Sequence, residues 1–146
     1  MIFDGHNDAL SRLWGSLCDP VERFGEAVGH VNVPNCAAGG MKGGFFAIYS
    51  PMQRMVFDFA QGFNLEMLTK PMPALDEDFA LVSAISQAAI ARRLHDAGQI
   101  EVVTDAATLA RSFVSDPVTC VLHLEGADCI GPDLLALDAL YALGLR

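Results

Sequence analysis

Two short stretches of this chain carry side chains able to ligate a metal ion. The first is Asp4-Gly5-His6-Asn7-Asp8. Alternate residues of an extended strand share a side, so Asp4, His6 and Asp8 are expected to project together. An imidazole and a carboxylate two residues apart offer one nitrogen and one oxygen, both good ligands for zinc. His-x-Asp alone is a common pattern, and its plain alternative is Asp8 capping the next segment beside a rim histidine. The second stretch is His123-Leu124-Glu125-Gly126. A carboxylate at a strand end is costly to bury without a partner, and a cation would supply one. A solvated glutamate at a loop start is the alternative for Glu125. His123 shares the face of Glu125 one layer deeper, and is expected to be a hydrogen-bonded core histidine rather than a ligand. His6, Asp8 and Glu125 together form a stronger signal than any one alone. Three converging ligands, two of them acidic, point to a metal site. A bridging carboxylate suits two metals about 3.5–4 Å apart that share a hydroxide and clamp a carbonyl.

These residues need elements to position them. Met1 to His6 reads as a short buried strand that ends in polar groups. Asp19 to Asn35 has a weak pattern, read as a loop or short hairpin. Gly39 to Gly44 is expected to be a flexible turn leading into a buried strand, Phe45 to Tyr49, which Pro51 stops. Residues 52–72 hold many Phe and Met without a clear period. Asp76, Glu77 and Asp78 open a helix that Arg92, Arg93 and His95 close before Gly98, matching the helix dipole. Phe79, Val82, Ile85 and Ala89 fall on one face of it, the expected buried one. A short strand over Ile100 to Val103 follows. Thr104 or Asp105 caps a helix through about Val114, with Leu109 and Phe113 inward. Val118 to Leu124 reads as another buried strand. Gly131-Pro132-Asp133 starts a helix with Leu134, Leu137 and Tyr141 on a stripe and Gly144 at its end. Leu145-Arg146 reads as the entry to a further strand. Buried strands joined through helices imply an α/β fold with a parallel sheet, and no linker or repeat divides residues 1–146.

The motif Asp4-Gly5-His6-Asn7-Asp8 resembles the opening of the membrane dipeptidase (renal dipeptidase-like) family of zinc peptidases. Gly43-Gly44-Phe45-Phe46-Ala47 resembles the family's glycine-led second strand. Leu124-Glu125-Gly126, followed by Leu134 through Tyr141-Ala142-Leu143-Gly144-Leu145-Arg146, resembles its Glu-Gly strand end and the helix exit after it. Most of the wider amidohydrolase superfamily opens with His-x-His, so Asp8 favours the dipeptidase branch. The resemblance implies the leading β/α units of a (β/α)8 TIM-type barrel, of the metallo-dependent hydrolase type. It implies two Zn2+ per complete site, with His6 and Asp8 on the first and Glu125 bridging both. A bridging hydroxide would then attack the amide of a dipeptide, often one with a D-residue at its C-terminal position. Asp4 and His123 are candidates for the shell around these ligands, with backbone capping the alternative for Asp4. The second zinc's histidines, a late acid-base aspartate and the arginine for the substrate carboxylate belong to later strands of the family. No catalytic residue is therefore assigned within residues 1–146. Ala127 stands where many relatives have a second Gly, and Ala47-Ile48-Tyr49 departs from the family's Ala-Gln-Phe-Trp, which bears on substrate specificity. Trp14 and Tyr49 are expected in the core rather than at the pocket.

Composition narrows the classes. The net charge is −9, from 18 acids and 9 bases, and the pI is about 4.6. Binding to nucleic acid or to an anionic membrane surface is disfavoured. No apolar run is long enough for a spanning helix, and the first residues lack a basic n-region and an h-region, so a cytoplasmic location is expected. Cys18, Cys36, Cys120 and Cys129 show no metal-binding spacing and are expected to be reduced, mostly buried thiols. A closed barrel needs roughly 250 residues, and a mean hydropathy of +0.34 is high for a complete small domain. The chain is therefore expected to be the leading segment of a longer enzyme. A homodimer is compatible with this reading. Two alternatives stand beside it: another binuclear amidohydrolase acting on cyclic amides or lactones, and a non-catalytic half-barrel that binds a partner.

Overall fold

The computed structural model describes residues 1–51 and 74–146; the Phe- and Met-rich stretch over residues 52–72 lies outside them. The element order is β1 (Ile2–Asn7), α1 (Ala9–Trp14), α2 (Pro20–Gly25), α3 (Val33–Gly39), β2 (Met41–Tyr49), α4 (Glu77–Asp96), β3 (Ile100–Val102), α5 (Ala106–Ser112), β4 (Val118–Glu125) and α6 (Leu135–Ala142). The four strands form one parallel sheet in the order β1-β2-β4-β3. Leu145 adds a parallel bridge to Leu122, as its sequence suggests. No helix among the described residues is long and apolar enough to cross a membrane.

Even-numbered residues of β2 and β4 (Phe46, Ile48, Val118, Cys120, Leu122) point into the main core with Leu10, Leu13, Phe24 and Leu94. The opposite side of the sheet carries a line of rings. Phe113 and Phe45 each lie 5.6 Å from Phe3, and Phe45 lies 5.9 Å from His123. Close strand contact here depends on two glycines. A Cβ on Gly43 would sit 2.5 Å from Thr119 Cβ and 2.6 Å from its carbonyl oxygen. One on Gly44 would sit 2.9 Å from Asp4. Both therefore belong to β2, and the flexible turn expected over residues 39–44 shrinks to Gly40, which ends α3 at φ 68°.

Three other expectations are corrected. Asp19 to Asn35 is not a loop or hairpin but holds α2 and the start of α3. Asp19 caps α2 ahead of Pro20, and Asn32 caps α3. Capping and proline at the first turn start such short helices without any hydrophobic period. In α4 the expected inner residues Val82, Ile85 and Ala89 are exposed. The helix instead buries Ala80, Ser83, Ala84, Gln87, Ala88 and Ala91, because small side chains let its backbone approach the sheet. Gln87 fixes that choice: its Nε2 donates to the Tyr49 carbonyl at 2.7 Å, and its Oε1 accepts from the Tyr49 N–H at 3.1 Å. In α6, Leu134 lies before the helix at φ 61° and is exposed, as is Tyr141. A turn closed by the Leu134 N–H on the Gly131 carbonyl delays the helix, so Leu140 rather than Leu134 is buried. The caps of α4 and α5 are as expected, with Asp76 accepting from the Phe79 N–H and Asp105 from the Thr108 N–H.

Gly43→Ala should destabilise the protein by about 1–3 kcal/mol or more, since it overpacks against backbone. Gly5→Ala, where a Cβ meets nothing within 4 Å, should stay within about 0.5 kcal/mol; urea unfolding of both variants tests this. Cys36, Cys120 and Cys129 are buried and Cys18 is exposed. Alkylation under native conditions, followed by mass spectrometry, should label Cys18 first and the other three only on unfolding.

Candidate metal centre

The C-terminal ends of β1 and β4 reach the same rim, with β2 between them. There His6 Nε2 lies 3.2 Å from Glu125 Oε2 and 3.4 Å from Asp8 Oδ1. One ligand atom from each of the three lies within 4.8 Å of the others. Zinc bonds of ~2.0–2.2 Å at tetrahedral angles place two ligand atoms roughly 3.3 Å apart. The two observed separations match that edge, and the donor set is one imidazole and two carboxylates. The residues present therefore fit a zinc ion. Side-chain exposures of 44 to 53% mean that these ion pairs add little stability by themselves.

Local structure leaves Asp8 unused elsewhere. It occupies the N-cap position of α1, yet its side chain makes no capping hydrogen bond. Asn7 supplies the cap instead: its Oδ1 accepts from the Ala9 N–H at 3.3 Å. The Asn7 Nδ2 donates to Asp4 Oδ2 at 3.1 Å and to the Phe45 carbonyl at 3.2 Å. This buried amide was not singled out by sequence reasoning. The only hint was an Asn between two ligand-type residues at a strand end.

The expected sharing of one face by Asp4 and His6 is corrected. Asp4 packs against Gly44 on the helix-covered side. The His6 ring lies on the other side, 5.1 Å from the His123 ring. The pairing of β1 with β2 slips between Asp4 and Asn7, and such a bulge breaks the strict alternation of a strand. Asp4 reaches His6 through the main chain, accepting from its N–H at 3.4 Å.

His123 lies beneath His6, as its position in β4 suggests, but it is not hydrogen-bonded through Nε2. That nitrogen is shielded from solvent and has no partner among the described residues. Burial, and then the charge of His6, push the His123 imidazole below its ordinary value, against the opposite pull of Glu125 and Asp8. Tyr49 lines the cavity of about 670 Å³ that holds His6, Asp8 and Glu125, whereas Trp14 packs on Phe79 at 6.0 Å.

Known proteins resemble this chain along its whole length. The family model for membrane dipeptidase, peptidase family M19, matches residues 1–146. The uncharacterized protein in the PQQ-III 3′ region of Acinetobacter calcoaceticus is 32% identical over 151 residues, which cover 99% of this chain and 46% of that one. The structure of dipeptidase AC, a metallo peptidase of family M19, superposes with a TM-score of 0.77 at 33% identity, covering 99% of this chain and 40% of that chain. A metallo peptidase from Rhodobacter sphaeroides, liganded with a phosphinate mimic of the dipeptide L-Ala-D-Ala, gives a TM-score of 0.76 at 31% identity, covering 99% of this chain and 43% of that chain. The chain thus spans a little under half the length of these relatives. With its parallel α/β sheet and its whole described length matched, the chain belongs to the membrane dipeptidase family, peptidase family M19.

Proposed function

We propose that residues 1–146 form the leading β/α units of a (β/α)8 barrel and carry the first metal-binding strand ends of a zinc-dependent dipeptidase. The observation that carries this reading is the approach of His6, Asp8 and Glu125 at one end of a parallel sheet, the end where α/β barrels hold their sites. His6 and Asp8 would hold one zinc, and Glu125, with two carboxylate oxygens, would bridge it to a second. When bound, such a pair supplies a Lewis acid for the amide carbonyl and a nucleophile at neutral pH. The chain's own residues do the positioning. Asn7 and Asp4 fix the backbone from which His6 and Asp8 project. His123 packs edge-on to His6 at 5.1 Å and supports its ring from the sheet. The dipeptide-mimic complex of the Rhodobacter relative supports a dipeptide with a C-terminal D-residue as substrate.

The intact, zinc-loaded protein should hydrolyse dipeptides, lose activity to a chelator and regain it with zinc. His6→Ala and Glu125→Gln should each lower kcat/KM by more than the roughly 10–100-fold typical of losing an outer-shell partner of a metal ligand. Both sites are half-exposed, so their melting temperatures without metal should match the parent's. Dipeptide hydrolysis undiminished in His6→Ala would overturn the reading, and turnover of cyclic amides or lactones instead would support the alternative amidohydrolase.

A zinc titration followed by thermal melting gives a second check. Ligand at about 100 times its Kd stabilises a folded protein by roughly 2.7 kcal/mol. The parent should gain melting temperature with zinc, and His6→Ala should not.

A further inference from the structure

Helix α4 carries an apolar stripe that the fold does not use. Asp78, Val82, Ile85, Ala89 and Arg92 recur at alternating intervals of four and three residues, the spacing of a helix seam that meets another helix. The sheet lies under a different face of α4, where Ala80, Ala84, Gln87, Ala88 and Ala91 are buried. The helices α1, α2 and α6 all pack against α4, and Trp14 packs on Phe79. Val82 is nevertheless 61% exposed and Ile85 37%, and Ala89 is exposed as well. Helix α6 runs alongside α4 in the same direction. Gly131 lies against Glu77 at one end of α4, and Ala142 and Leu143 share a cavity with Arg92 and His95 at the other. Leu135 and Leu143 of α6 are also exposed, so the apolar surface is wider than one helix.

We propose that this face docks a second copy of the chain, with the two α4 helices antiparallel across a two-fold axis at Ile85. A surface that pairs with itself across a two-fold axis must be self-complementary, and the stripe is so about Ile85. Asp78 stands seven positions before Ile85 and Arg92 seven after it, so each Asp78 meets the partner's Arg92. Val82 falls opposite the partner's Ala89, a larger side chain against a smaller one, and the two Ile85 side chains meet on the axis. The basic end is available for this pairing. Arg93 is turned to Asp19, whereas Arg92 holds Asp96 through Nε at 2.9 Å and keeps the remaining N–H groups of its guanidinium for a second carboxylate. A net charge of −9 makes two copies repel over most of their surface, and the seam joins opposite charges at both of its ends. A stable dimer buries roughly 800 Å² on each side. A few turns of one helix provide part of that, and Leu135 and Leu143 of α6 add apolar surface beside it.

Sedimentation equilibrium of the full chain over a range of micromolar concentrations should give twice the chain's own mass. Ile85→Glu puts like charges together on the axis and should raise the dissociation constant by about tenfold or more. Asp78→Arg and Arg92→Asp each remove two exposed ion pairs per dimer and should weaken it by roughly 2–30-fold; the two exchanges combined should restore it. The exchange series stands by itself should Ile85→Glu fail to fold. In a Cys18→Ser background, Ile85→Cys should form a disulfide with its own copy under mild oxidation, whereas Val82→Cys should crosslink only when mixed with Ala89→Cys. A chain that stays monomeric at these concentrations would overturn the proposal. So would a dimer that Ile85→Glu leaves unmoved and Ile85→Cys does not crosslink, because the copies then meet elsewhere. Slow alkylation of Ile85→Cys in a monomer would assign the stripe to a cover from the same chain, which overturns the proposal as well.

Discussion

The arrangement of the rim depends on one buried side-chain amide. Asn7 joins the end of β1 to β2 through the Phe45 carbonyl, to Asp4 through its carboxylate, and to the start of α1 through the Ala9 N–H. A buried amide left without these partners costs about 1–3 kcal/mol, so the geometry around it is closely determined. Two consequences follow for the neighbours of Asn7. The bulge between Asp4 and Asn7 turns His6 to the open side of the sheet. The capping duty that an aspartate in that place would normally perform passes to Asn7, which leaves the Asp8 carboxylate facing His6.

Glu125 meets this pair across β2, which lies between β1 and β4. Tyr49 of β2 pairs with Glu125 of β4, and Gly43 and Gly44 lower down let β1 and β4 close on β2 without side chains between them. From the other face, Gln87 takes both backbone groups of Tyr49 and locks the end of β2 against α4. The contacts among His6, Asp8 and Glu125 are too exposed to be kept for stability. Their convergence makes chemical sense as a cation site.

Much of this was legible in the residues. Continuous apolar runs marked β2 and β4, and charge and capping patterns marked α4 and α5. His6, Asp8 and Glu125 stood at strand ends where a parallel sheet would bring them together. What escaped has a common physical cause. Alternation assigned Asp4 and His6 to one side because a bulge is set by tertiary pairing, not by local pattern. Val82, Ile85 and Ala89 outranked the alanines of α4 on hydrophobicity, but close approach to the sheet favoured the alanines and a hydrogen-bonding glutamine. The short helices α2 and α3 carry no hydrophobic period, only caps and prolines. The role of Asn7 arises from contacts with β2 and α1 that no spacing along the chain encodes.

A metal ion held jointly by His6, Asp8 and Glu125 would be visible in a crystal. The measurement is crystallography of the protein grown with zinc, with data collected on both sides of the zinc absorption edge. An anomalous peak is expected about 2.0–2.2 Å from His6 Nε2 and from carboxylate oxygens of Asp8 and Glu125. Fully occupied zinc elsewhere in the protein, with no peak between these three residues, would contradict it.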